Sequence, residues 1–287
     1  MAKYALLRER IAASPDWPRQ DLLVPAAASD EELLRVHTVG YLERVVSGGL
    51  SVPEIRRIGF PWSPQLVERS RRSVGGTIAA SRAALRDGVA VNLAGGTHHA
   101  FADRGEGFCV YNDTAVAARA VRAERLAERV LILDCDVHQG NGTAAIFARD
   151  DSVFTLSIHG AGNYPFQKIR GDLDVSLPDG TRGPAYLSAL ADALERALDS
   201  FRPHLVIYLA GADPYEHDRF GRLALTLADI ERRDRLVFGR CAEASLPVAT
   251  VMSGGYAARM EDIVDIHFRT VTVATEHSAR YATRSVG

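Results

Sequence analysis

The stretch LILDCDVHQGNGT, residues 131–143, is an apolar run that ends in a group of metal-binding side chains. Alternate residues of a strand face the same way, which puts Asp134, Asp136 and His138 along one edge of its carboxyl end. Gly140 and Gly142 then let the backbone turn sharply. Two carboxylates and an imidazole suit a divalent cation with oxygen and nitrogen ligands. A helix-capping Asp would explain one of these residues, but not three at alternate positions.

Four other apolar runs end in glycine and a reactive polar residue: VAVNLAGGTHHA (89–100), VFTLSIHG (153–160), LVIYLAGADP (205–214) and PVATVMSGGYA (247–257). Helix-like stretches lie between them. This alternation predicts βαβ units, hence an α/β, three-layer α/β/α domain with a mostly parallel central sheet. Ligands bind such sheets beyond the carboxyl ends of the strands. His98, His99, Asp136, His138, Asp213 and Tyr256 would all collect there. Core packing does not explain that convergence.

The elements that must position these residues are legible in outline. MAKYALLRERI reads as an amphipathic helix, and Pro15, Pro18 and Pro25 mark an irregular loop after it. A second helix starts at Ser29 or Asp30, where Glu31 and Glu32 favour the positive helix end, and stops at Gly48 and Gly49. A long helix spans about 64–86. Gly75 and Gly76 in its middle cost about 1 kcal/mol each, which suggests close packing there. Further helices are expected at about 111–127, 184–200, 227–244 and 258–268. Loops at 101–110, 159–183 and 212–222 follow strand ends and overhang the site.

With 287 residues and 47% hydrophobic content, the chain suits one large domain over 1–287. A net charge of −2 gives no reason to expect nucleic acid or a membrane surface as partner. No run reaches the ~18 apolar residues of a membrane span. The start lacks the apolar core of a secretory signal. Cys109, Cys135 and Cys241 are an odd number, widely spaced, and read as reduced thiols of a cytoplasmic protein. Oligomeric state is not readable.

Five motifs, GGTHHAF, RGEGFCVYND, LDCDVHQGNGT, AGADPYEHDRFG and SGGYA, resemble the histone deacetylase family within the arginase/deacetylase fold. They stand in that family's order and spacing over nearly the whole chain. Asn141 in QGNGT and the ASDEELLRVHT stretch look most like the class IV branch and its bacterial relatives. Relatives begin with a strand and a short loop ahead of the KYALLRE helix, whereas this sequence opens at MAKYALLRER, so either the family's first strand is missing or the start codon differs.

The resemblance implies a zinc-dependent hydrolase that removes acetyl or other acyl groups from lysine side chains, polyamines or small amines. Asp136, His138 and Asp213 then hold one zinc ion and leave positions open for water and a carbonyl. His99 matches the general base and His98 its electrostatic partner. Asp134 backs His98, and Asn141 backs His99 where better-known classes have Asp. Tyr256 matches the phenol facing the oxyanion. Gly107 and Phe108 match one wall of the acyl-lysine tunnel, with Tyr164 or Phe166 opposite. Gly254 and Gly255 belong to the substrate-binding SGGYA loop. A structural potassium is implied at Asp134 and Ser157, with backbone carbonyls of Asp136, His138 and Ile158. His159 is a rim candidate, and Asp218 a carboxylate bracing its loop.

Two other classes compete. A binuclear-manganese ureohydrolase of the same fold would need further bridging carboxylates where Gly140 and Asn141 stand. A non-catalytic acyl-lysine binder would not need the full set of catalytic residues.

Overall fold

A computed structural model describes residues 2–15 and 22–284. Pro18, in the proline-marked loop, lies outside the described residues. Ahead of the sheet come α1 (Ala2–Ala13), α2 (Asp30–Leu34), α3 (Val39–Ser47), α4 (Val52–Ile58) and α5 (Pro64–Asp87). Then follow β1 (Val89–Asn92), α6 (Asp113–Ala123), β2 (Val130–Asp134), α7 (Asn141–Phe147), β3 (Val153–Gly160) and β4 (Leu173–Leu177). The chain continues through α8 (Gly183–Phe201), β5 (Leu205–Leu209), α9 (Leu227–Glu243), β6 (Val248–Val251) and α10 (Met260–Arg284).

The strands form one six-stranded sheet in the order β1-β6-β5-β2-β3-β4. Every neighbouring pair is parallel. Strand alternation divides the core into two layers. Val130 and Ile132 face one cluster, with Val74 and Ile78 of α5 and Val116 of α6. Leu131 and Leu133 face the other, with Leu190 of α8, Phe238 of α9 and Val273 of α10. Helices thus cover both faces, as the apolar runs require.

Three elements differ from expectation. The single helix expected from Ser29 to Gly48 is two helices. Ser29 and Glu32 form a capping box on α2, and Thr38 caps α3 separately through the Tyr41 amide. Between them His37 turns inward, and the Thr38 amide donates to the Ala102 carbonyl at 2.8 Å. Strand β4, inside the loop expected at 159–183, is an edge strand that alternates exposed and part-buried residues, so it lacks an apolar run. Helix α10 continues past residue 268 because Val271, Val273 and Ala274 give it a buried face. The glycine pair of α5 is explained by contact: a Cβ on Gly75 would meet the Ala26 carbonyl oxygen at 1.9 Å, and one on Gly76 the Asn92 side chain at 2.8 Å.

His37 ties the first helices to the sheet. Its Nε2 accepts the Asn112 amide at 3.0 Å, and burial pushes its pKa down to about 4. The unfolded chain therefore binds a proton near pH 6.5 that the folded chain refuses. Stability is full above that pH and falls towards pH 4, by on the order of 3 kcal/mol for this group. The His37→Gln variant, which keeps an acceptor without a titrating ring, is expected to show a shallower loss. Urea midpoints of both proteins between pH 7 and pH 5 check this; parallel curves would contradict it.

Candidate metal centre and active site

Loop geometry, not strand pleating, gathers the acidic residues after β2. The strand ends at Asp134, so Asp136 and His138 lie beyond it. The Asp136 amide donates to Asp134 Oδ1 at 3.0 Å, and the His138 amide to Asp136 Oδ1 at 2.9 Å. These two successive Asx turns replace the alternation expected from the sequence. Asp213 arrives from the loop after β5, where the Val137 amide binds its Oδ1 at 2.9 Å.

Asp136, His138 and Asp213 each offer a ligand atom, and those atoms lie within 4.8 Å of one another. His138 Nδ1 is 3.0 Å from Asp136 Oδ1 and 3.3 Å from Asp213 Oδ2. Asp136 Oδ2 is already bonded by the Ser253 hydroxyl at 2.7 Å and the Gly254 amide at 2.8 Å. Asp213 Oδ2 is buried and has no hydrogen-bond partner. Gly254 leaves the space over these oxygens open, since a Cβ there would lie 1.9 Å from Asp213 Oδ2 and 2.6 Å from Asp136 Oδ2. Burial together with Asp136 raises the Asp213 carboxyl. Burial opposes charge on His138, yet the neighbouring carboxylates of Asp136 and Asp213 push it up to about 10. The cluster thus favours positive charge at its centre. An orphaned carboxylate oxygen, an open cradle and an oxygen/nitrogen donor set fit a divalent metal.

Two histidines border the cluster. His98 Nδ1 lies 2.6 Å from Asp134 Oδ2, and His99 Nδ1 lies 2.7 Å from Asn141 Oδ1. Burial opposes charge on His98, but Asp134 and Asp136 outweigh it and hold the pKa up to about 9. Burial, reinforced by charge on His98 and His138, drives His99 well below the usual imidazole value. The two adjacent rings are therefore biased in opposite directions.

The loop carrying them is fastened from beneath. Asn112 caps α6 and donates through Nδ2 to the Ala100 carbonyl and the Thr143 hydroxyl, each at 3.0 Å. Asp113 accepts the Gly96 amide at 3.0 Å and the Thr97 amide at 2.7 Å. Gly140 fits because a Cβ there would come within 2.6 Å of Asp134 Oδ2.

Tyr256 stands at the mouth. Its amide donates to Asp218 Oδ2 at 2.6 Å, while Asp218 Oδ1 takes the Phe220 and Gly221 amides, so this carboxylate braces the loop. Lys3 donates to the carbonyls of Ser253 at 3.1 Å and Gly255 at 3.3 Å, and its Nζ is 5.4 Å from the Tyr256 ring centroid. Burial, with Asp136 and Asp213, keeps the Tyr256 phenol protonated far above its usual range. Phe108 is 41% exposed with its ring centroid 6.0 Å from that of Tyr256, which suits a wall. Gly107 has φ +54°, and a Cβ on it would strike His99 Cδ2 at 2.6 Å. The Tyr164 ring makes a T-shaped contact with His99 at 5.1 Å. Phe166 is 85% exposed and packs on Tyr164.

Some expectations change. His159 is not on the rim: it is buried within β3 between the hydroxyls of Ser157, at 2.9 Å, and Ser176. Cys109, Cys135 and Cys241 are buried free thiols. Residues missed from sequence include Glu106, Asp113, Lys3 and Arg233. Glu106 accepts from Asn141 Nδ2 and the Tyr164 hydroxyl. Arg233 is buried, donates to the Gly211 carbonyl at 2.6 Å and pairs with Asp234, which anchors the Asp213 loop to α9. Glu106 lies inside the RGEGFCVYND motif, but nothing in that string says what it meets.

A parallel α/β/α sheet with an Asp–His–Asp cluster at its carboxyl edge defines a protein of the arginase/deacetylase fold. The histone deacetylase domain model matches residues 1–271, and the chain belongs to the histone deacetylase family. It is 44% identical over 267 residues to an uncharacterized protein of Picosynechococcus sp., covering 93% of this chain and 89% of that one. It is 36% identical to histone deacetylase 2 of Arabidopsis thaliana, over 82% of this chain and 63% of the relative. It is 38% identical to a histone deacetylase-like amidohydrolase of Pseudomonas aeruginosa, over 69% and 56% respectively. The chain thus spans about three fifths of these two functionally named relatives. A solved HDAC homolog complexed with SAHA superposes with TM-score 0.82 at 26% identity, over 95% of this chain and 77% of that one. The HDA15 HD domain superposes with TM-score 0.80 at 22% identity, over 98% and 88%, a likeness of fold. No helix among the described residues is long and apolar enough to cross a membrane.

Gly254→Ala is expected to leave the fold intact and to weaken divalent-metal binding by about tenfold or more. Isothermal titration with zinc, beside circular dichroism, reads both. Unchanged affinity would show that the cradle is not where metal sits.

Proposed function

We propose that the protein is a zinc-dependent amidohydrolase that removes acetyl or other acyl groups from lysine side chains, polyamines or small amines. The observation that carries this reading is the Asp136–His138–Asp213 cradle, with its buried Asp213 Oδ2 free of hydrogen bonds, beside two histidines held through Nδ1 by Asp134 and Asn141. Asp136, His138 and Asp213 would hold the ion. A zinc ion there would polarise the substrate carbonyl and lower the pKa of its water.

The chain's own groups account for the proton traffic. His99, neutral and held through Nδ1 by Asn141, offers Nε2 to the water proton. That proton later passes to the amine as the C–N bond breaks. His98, charged and braced by Asp134, supports the negative charge that develops. Tyr256, kept as a phenol, donates to the oxyanion. Phe108 and Tyr164 line the approach of an aliphatic stem, with Gly107 leaving room for His99 and Gly254 and Gly255 shaping the floor. The names of the relatives, deacetylase and amidohydrolase, agree with amide hydrolysis.

A ureohydrolase with two bridged metals is disfavoured by what faces the carboxylates: His98 Nε2 at 3.9 Å from Asp136, with Ser253 and Gly254 on its other oxygen. A structural potassium beside Asp134 and Ser157 remains part of the proposal, with the carbonyls of Asp136, His138 and Ile158. Asp134 and Ser157 pair across β2 and β3. The Ser157 hydroxyl can donate to His159, which burial holds down at about 4, leaving its oxygen lone pairs for a cation. A net charge of −2 gives little pull on a basic histone tail, so the substrate is a small amine or a flexible lysine-like chain in the cytoplasm.

Tyr256→Phe is expected to cut turnover by about 10²–10³ while metal still binds. His99→Ala should be at least as damaging. Full activity in the Tyr256 variant would place the oxyanion elsewhere. The substrate class is read by kcat/KM for one lysine peptide carrying acetyl, butyryl, octanoyl or myristoyl groups, beside acetylputrescine and acetylspermidine. A strong preference for the polyamines would exclude the lysine-peptide substrate. No hydrolysis of any amide by the zinc-loaded protein would end the deacylase reading.

A further inference from the structure

Asn141 poses a problem that its neighbours solve. An amide presents an oxygen that only accepts and a nitrogen that only donates, so it can face His99 either way round. With Oδ1 towards the ring, His99 Nδ1 must carry the proton and Nε2 is left as the base. With Nδ2 towards the ring, Nδ1 must accept, the proton moves to Nε2, and the base is lost. A carboxylate at this position would have no such ambiguity.

Glu106 stands on the far side of that amide. Its Oε1 lies 3.1 Å from Asn141 Nδ2, while Asn141 Oδ1 lies 2.7 Å from His99 Nδ1. The Tyr164 hydroxyl donates to the same Glu106 oxygen. Glu106 itself is fixed by a tight turn, in which its amide and carbonyl pair with Cys109 at 3.0 and 2.9 Å. An ionised carboxylate accepts only. Turning the Asn141 amide over would set Oδ1 against Glu106 Oε1, oxygen against oxygen, with no proton between them.

We propose that Glu106 is a positioning residue that locks the Asn141 amide and so selects the Nδ1-protonated tautomer of His99. Three acceptor and donor faces in series, Glu106, Asn141 and His99, admit one arrangement, and it is the one that frees Nε2. Tyr164 reinforces the lock twice, through its hydroxyl on Glu106 and its ring edge on His99 at 5.1 Å. The inference rests on the deacylase reading for its effect on turnover, but not for its effect on the tautomer.

The test exchanges carboxylate and amide along the series. Glu106→Gln replaces an acceptor-only group with one that also donates, so both orientations of Asn141 become satisfiable. Asn141→Asp alone sets two carboxylates against each other. The double variant Glu106→Gln/Asn141→Asp restores a single arrangement. In it the amide at position 106 donates to the carboxylate at position 141, and that carboxylate accepts from His99 Nδ1. Each zinc-loaded protein is read by ¹⁵N shifts of the His99 ring and by kcat and KM on the best substrate. Each single variant should lose about tenfold or more in kcat, with KM little changed, since general-base catalysis contributes about 10²–10⁴. The double variant should recover to within about threefold of wild type. Wild type and the double variant should show a protonated Nδ1 and a bare Nε2, and Glu106→Gln a mixture. A wild-type His99 protonated at Nε2 overturns the proposal without any variant. So does a Glu106→Gln protein with unchanged tautomer and kcat, or a double variant in which the losses add. If wild type hydrolyses no amide, the deacylase reading fails while the ring shifts still decide the tautomer.

Discussion

Two buried carboxylates, Asp136 and Asp213, held against one imidazole, set the terms for the surrounding structure. Like charges this close in a dry site cannot both stay ionised without a positive partner. Backbone amides from two loops keep them together: Val137 and His138 from the loop after β2, and Gly254 from the loop after β6. Of the four oxygens of these two carboxylates, Asp213 Oδ2 alone has no hydrogen-bond partner. The cluster could hold a cation, and its neighbours respond to the same charge. Asp134 and Asp136 push His98 towards its charged form, whereas burial and the charge beside it push His99 towards its neutral form.

Parallel strands make this possible. Each strand of an all-parallel sheet delivers its carboxyl end to the same edge, so residues far apart in sequence meet without long excursions. Small residues then let the loops interpenetrate. Gly254 lies over the carboxylates, Gly107 against His99, and Gly140 against Asp134, each at a place where a Cβ would collide. Helix α9 secures the Asp213 loop through Arg233, and helix α1 secures the Gly254 loop through Lys3.

Much of this was legible in the residues themselves. Apolar runs ending in glycine and a ligand-type side chain marked five strands and the site edge, because both signals are local. Asp213 and Tyr256 were found the same way. The pairings His98–Asp134 and His99–Asn141 came from family resemblance, and the side chains are at bonding distance. What failed was non-local. Asp136 and His138 share a face through Asx turns, not pleating, and periodicity cannot distinguish the two. Strand β4 is an edge strand without an apolar run. Glu106 matters only because three separate segments meet at its oxygen, and no single window of sequence contains them. Thr38 splits a helix because His37 is needed elsewhere, by Asn112.

The ligand atoms of Asp136, His138 and Asp213 lie close enough together to hold one divalent ion. Anomalous diffraction from crystals of the zinc-loaded protein, collected on both sides of the zinc absorption edge, tests whether they do. One peak per chain is expected, within about 2.0–2.2 Å of a carboxylate oxygen from each Asp and of His138 Nδ1. Two peaks sharing the carboxylates, or a single peak outside this cluster, would contradict it.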